Sequence, residues 1–133
     1  MAKNTTANVN YKVVIESVSK ELSVKERIQL KDLSDTVKLD NATKVEPVII
    51  HVDFYATLDI HNENSDDKDY KNYVIVDKDG TRYVTGSQSF LTAFSQIEDE
   101  IADADEAVDF TIKVYRLPSK KREGKDFITC SLI

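Results

Sequence analysis

In VIIHVDFYATLDIH, residues 48–61, apolar side chains fall on every second position: Val48, Ile50, Val52, Phe54, Ala56, Leu58 and Ile60. The residues between are mostly polar: His51, Asp53, Tyr55, Thr57, Asp59 and His61. A period of two kept up this long predicts one strand with a buried face. Strands usually run about 5–6 residues. One this long has to bend, and a bent strand serves two sheets or closes a barrel.

Alternation recurs elsewhere. Val9, Tyr11, Val13 and Ile15 predict a half-buried strand near the N-terminus, after a small, polar and disordered segment over residues 1–8. Ser23 followed by Glu26 is a capping-box signature and predicts a short helix, although Ile28 and Leu30 also fit a strand. Residues 35–47 are turn-rich and end at Pro47. YKNYVIVDKDGTRYVT reads as a hairpin with Gly80 supplying the positive φ of its turn. Its expected register sets Tyr73 opposite Val84 and Val74 opposite Tyr83, and leaves open which face is buried.

From Gly86 the period changes. Phe90, Phe94, Ile97 and Ile101 are at helical spacing, with Ser87 or Ser89 as N-cap. VDFTIKVYR returns to alternation, with Val108, Phe110, Ile112 and Val114 inward. The last strand, DFITCSLI, points Ile128, Cys130 and Leu132 inward.

From residue 48 the order is long strand, strand, strand, helix, strand, strand. This is the element order of an OB-fold, a five-stranded, partly open barrel whose strand 2–3 face and loops 1–2 and 4–5 hold oligonucleotides or sugars. The expected fold is therefore mainly β: a five-stranded OB-like barrel with one helix between strands 3 and 4, preceded by an N-terminal strand and a short helix. Residues 9–133 form one domain.

Composition narrows the setting. A 133-residue chain with 41% hydrophobic and 32% charged residues is long enough for a core without metals or disulfides. Cys130 is the only cysteine, so no intrachain disulfide forms, which suits a reducing compartment. No apolar run nears the ~20 residues of a membrane helix, and MAKNTTANVN lacks the apolar core of a signal peptide. A cytoplasmic protein is expected.

The net charge is −6, yet six of the eighteen basic residues fall between Lys113 and Lys125: Lys113, Arg116, Lys120, Lys121, Arg122 and Lys125. In the expected barrel, LPSKKREG lies between strands four and five. Single-stranded nucleic acid is held by cations along its phosphates and aromatic rings under its bases. The alternation turns Lys113, Tyr115 and Phe127 outward beside Lys120, Lys121 and Arg122. Tyr55 is on the outer side of the long strand, and Tyr73, Arg82 and Tyr83 are further candidates in the middle hairpin. The loop equally fits a solvated hairpin tip with Phe127 in the core.

Other chemistry finds little footing. His51 with Asp53 and Asp59 with His61 are metal-ligand types, but the two pairs lie at opposite ends of one strand. DKDG resembles a calcium loop until Gly80 is set at position six, which puts Ile75 at position one and Gly86 at twelve. No Walker loop, H-E-x-x-H, G-x-S-x-G or G-x-G-x-x-G occurs. Cys130 reads as a small buried hydrophobe. The expectation is a protein without catalytic residues, metal or cofactor.

DKDGTRYVTGSQSF and SKKREGKDFITCSL, together with ELSVKERIQLKDLSDTVKLDNAT and IHNENSDDKDYKNYVIVD, resemble single-stranded-DNA-binding proteins carried by phages and mobile elements of Gram-positive bacteria. The likeness covers most of residues 20–133. It implies an OB-like binder that coats single-stranded DNA during replication or recombination, with replication proteins as possible partners. It supports Lys120–Arg122 and the nearby aromatics as contacts. Many DNA-coating proteins end in an acidic tail that recruits partners. This chain ends in Cys130-Ser131-Leu132-Ile133, which puts tail-mediated recruitment in doubt and leaves the acidic segment 98–109 to serve a similar purpose. The competing expectation is an acidic phage- or plasmid-encoded interaction module that binds host factors or mimics DNA.

Overall fold

The structure, a computed structural model, describes residues 10–133. The segment 1–8 and Val9 lie outside the described residues. In chain order the elements are β1 (Tyr11–Val18), α1 (Val24–Lys31), a 3-10 turn (Leu33–Asp35), β2 (Val37–Lys38), α2 (Leu39–Ala42), β3 (Val48–Asn62), β4 (Asp69–Asp77), β5 (Arg82–Thr85), α3 (Gln88–Asp103), β6 (Thr111–Pro118) and β7 (Asp126–Leu132). Strand makes up 43% of the chain and helix 25%, so the protein is mainly β. The sheet curls into a half-barrel in the order β2-β5-β4-β3-β6-β7, with β1 on β3. Seven strands and three helices replace the six strands and two helices expected. The additions are β2 and α2, in the segment read as turns.

Ser23 caps α1 through both halves of a capping box, which settles that segment as helix. Ser87, not Ser89, caps α3 by accepting from the Phe90 amide at 3.2 Å. β6 starts later than the apolar pattern, at Thr111, although the Phe110 carbonyl accepts from the Val52 amide of β3 at 2.9 Å.

The long strand bends, and the bend redirects its side chains. Val48–His51 pair with β6, whereas the remainder pairs with β4 and β1. Between Val52 and Phe54 the register against β4 shifts, so Asp53 is an extra residue. Such a bulge interrupts the in–out alternation. Ile50 and Val52 therefore join one core cluster, with Ile75, Phe90, Phe94, Ile112, Val114, Ile128 and Cys130. Phe54, Ala56, Leu58 and Ile60 join the other, with Leu30, Val74, Val76 and Val84. The single buried face expected of this strand is in fact two opposed faces.

Helix α3 covers the first cluster with Phe90 and Phe94. Leu30 of α1 and the flanking Leu22 and Leu33 cover the second. With cover on both sides, Tyr73, Val74, Ile75 and Val76 of β4 are all buried. The β4–β5 register is one residue from that expected: Tyr73 faces Thr85, Val74 faces Val84 and Ile75 faces Tyr83. Leu132, expected inward, is exposed. Among the described residues no helix is long and apolar enough to cross a membrane.

Candidate nucleic-acid interface

β6 and β7 form an antiparallel hairpin with one face in the core and one in solvent. Ile112, Val114, Ile128 and Cys130 are buried. The alternate positions pair on the outside as Lys113 with Ser131, Tyr115 with Thr129 and Leu117 with Phe127, while Ile49 of β3 lies beside Lys113. The Tyr115 hydroxyl and Ser131 Oγ are 2.8 Å apart, which fixes the ring against the sheet. Lys113 Nζ stands 5.5 Å from the ring centroid, within cation–π reach. Phe127 is 37% exposed and Leu117 41%, so a ring and an aliphatic chain lie open beside each other at the loop end.

The loop beyond is held from within. Ser119 donates its amide to the Lys125 carbonyl at 2.9 Å, and its hydroxyl accepts from the amides of Lys121 and Arg122, both at 3.3 Å. Gly124 has φ +78°, a conformation that L side chains rarely adopt. Lys120, Lys121, Arg122 and Lys125 are exposed, and neither they nor Lys113 form an ion pair with a described residue.

Seven of the twelve residues singled out from the sequence thus share this surface: Lys113, Tyr115, Lys120, Lys121, Arg122, Lys125 and Phe127. The other five are engaged elsewhere. Arg116 donates from Nε to Thr43 Oγ1 at 3.1 Å, from Nη1 to Asp126 at 2.7 Å and from Nη2 to the Asp40 carbonyl at 2.6 Å, tying the hairpin to α2. Tyr55 packs edge-on to Phe94 and Phe110 at 5.0 and 6.0 Å, and its hydroxyl donates to Glu98. Tyr73, 5% exposed, sits in the core with its hydroxyl 3.3 Å from Gln88 Oε1. Arg82 bonds the Asp35 carbonyl at 3.1 Å. Tyr83 packs against the first core cluster, and burial, then the charges of Asp77 and Asp79, push its phenol pKa up. Leu117 and Ile49 were not singled out, although Leu117 continues the outward series Lys113, Tyr115.

Two histidines and the cysteine lie in other polar or buried settings. His61 bonds Asp69 at 2.7 Å and also Glu63, which together raise its imidazole pKa, with Asp69 the larger cause. His51 Nδ1 is 3.8 Å from Asp77, whose carboxylate accepts from the His51 and Asp79 amides and so organises the DKDG turn. Among the described residues no three His, Cys, Asp or Glu side chains gather as metal ligands. Burial pushes the Cys130 thiol up to about 12, well away from a nucleophilic thiolate at neutral pH. No family model, curated protein or solved structure matches this chain.

Proposed function

We propose that this protein binds single-stranded DNA with little regard to sequence and acts, without catalysis, in the replication or recombination of a phage or plasmid in its host's cytoplasm. One observation carries the reading. The half-buried Tyr115 and the exposed Phe127 share the outer face of β6–β7 with Lys113, on the hairpin whose loop carries four cations free of ion pairs with described residues. Rings at this place can stack with bases while the cations follow the phosphates. The OB-like barrel belongs to the same proposal. Its support is the order of β3–β7, with α3 between the third and fourth strands. In that frame Leu117–Phe127 is the loop between strands four and five, beside the ligand groove.

The test is a titration of fluorescent oligo-dT at rising salt. With three to five phosphates neutralised, log K should fall against log salt with a slope of about −2 to −3.5. Absence of binding at low salt and micromolar protein would sink the proposal.

A second reading, an acidic module that engages proteins, is favoured by a separate observation. Seven acids and no base occupy residues 98–109, and none is ion-paired with a described residue. A protein partner retained after nuclease treatment, with no oligonucleotide affinity, would select it.

A further inference from the structure

A groove of about 830 Å³ runs between α3 and the end of β7. Ile97, Ile101, Val108 and Leu132 give it an apolar lining, Asp99 and Glu100 line it as well, and Tyr115 and Ser131 bring the outer face of β6–β7 into it. The edge of β7 is open towards it. The Ile133 amide bonds the Thr111 carbonyl, so the odd-numbered residues of β7 face β6 and the even-numbered ones turn their backbone groups outward. Ile128, on that outward side, gives its carbonyl to Ser89 Oγ at 2.7 Å. Among the described residues no side chain hydrogen-bonds Cys130 or Leu132 further along.

We propose that this groove receives the β6–β7 hairpin tip of a second copy of the chain, so that copies associate head to tail. The two surfaces match in charge and in apolar content. Asp99 and Glu100 line the groove in a segment, 98–109, of seven acids and no base, of which Glu98 and Asp109 accept from Tyr55 and Thr111. The tip offers Lys120, Lys121, Arg122 and Lys125 between the exposed Leu117 and Phe127. No hairpin tip reaches its own groove. Lys120 lies five residues beyond Tyr115 of the groove, roughly 16 Å along an extended chain, and β6 and β7 stay paired up to Pro118 and Asp126. Contact between two unlike patches does not close as a symmetric dimer; it continues as a ring or an open filament. The contact needs no DNA. It does use the cations of the proposed DNA interface, so oligonucleotide competes with it.

Sedimentation velocity at low salt tests this without nucleic acid. The wild type should form concentration-dependent species larger than a dimer, dissolved at molar salt, where charges are screened beyond about 3 Å. A tip variant (Lys120→Glu, Lys121→Glu, Arg122→Glu) and a groove variant (Asp99→Lys, Glu100→Lys) should each lose association while keeping the wild-type circular dichroism spectrum. Mixed together they should assemble again, because each then meets a tip or groove of opposite sign. A monomeric wild type, a dimer indifferent to groove reversal, or a mixture that stays monomeric would each overturn the proposal. The groove variant changes charge beside Tyr115, which lines the same groove, so the DNA reading is judged on the wild type. Its oligo-dT titration and the association without nucleic acid can fail independently.

Discussion

The hydroxyl of Tyr55, midway along β3, donates to the carboxylate of Glu98 on α3, while the same ring stands edge-on to Phe94. One side chain thus ties the helix beside β7 to the longest strand. Burial first, then the bond to Glu98 and its charge, push the phenol pKa above its ordinary value. A phenol whose folded pKa exceeds the unfolded one stabilises the fold while it is neutral. That contribution is intact below about pH 10 and is lost as pH rises from the unfolded towards the folded value. Tyr55→Phe keeps the ring and removes the hydroxyl. It should cost about 1–2 kcal/mol in urea unfolding at neutral pH, and the two proteins should converge in stability above about pH 10.

Arg116 lies among the basic residues of the hairpin but works as a brace. Its three nitrogens reach Thr43, Asp126 and the Asp40 carbonyl, and a guanidinium fork is needed to make all three bonds. Arg116→Lys should therefore destabilise the protein by about 1–3 kcal/mol, whereas Lys121→Ala, on the exposed loop, should stay within about 0.5 kcal/mol of wild type. Thermal unfolding of the two variants separates them. Equal midpoints would show that Arg116 carries no structural load.

The apolar alternation of residues 48–60 was legible as a long strand, but its direction was not. Parity runs unbroken from Val48 to Ile60 in the sequence, and the switch of faces comes from the register imposed by β4 around Asp53. A pairing partner far along the chain leaves no local mark. The buried state of Tyr73 did leave one: Tyr73–Val76 is a continuous apolar run, as expected of a strand covered on both faces. The brace on Arg116 had no such signal, because α2 is four residues long and shows no periodicity. The outward set on β6–β7 was readable since that hairpin is regular, with a plain alternation on each strand.

The bulge supplies its own prediction. The Asp53 side chain is exposed, with Lys20 3.8 Å away. Asp53→Ala should thus change stability by no more than about 0.5 kcal/mol. Deleting Asp53 tests the bulge itself. It makes Val52 and Phe54 neighbours in an unbroken ladder, where adjacent residues face opposite sides, so Ile50 and Val52 keep the first cluster and Phe54 and Ala56 the second. The deletion protein should therefore still unfold cooperatively on heating. Loss of the cooperative transition would mean that the extra residue is needed for more than the switch of faces.

Cations and rings on the outer face should fail in different ways. Each lysine that neutralises a phosphate contributes about 0.7 to the salt slope on single strands. Lys121→Ala should thus weaken oligo-dT binding and flatten the slope by about that amount. Tyr115 and Phe127 release no counterions. Replacing either with Ala should cost about 1–3 kcal/mol of binding, through lost stacking, and leave the slope unchanged. Tyr115→Phe keeps the ring and loses only the contact with Ser131 Oγ, so it should bind nearly as wild type does. Lys113 is the mixed case, since it sits over the Tyr115 ring and also carries a charge. Lys113→Ala should lower both affinity and slope. Titrations of the five variants at several salt concentrations check the division. If the alanine variants at Tyr115 and Phe127 bind as tightly as wild type, the rings do not stack on bases and only electrostatic attraction remains.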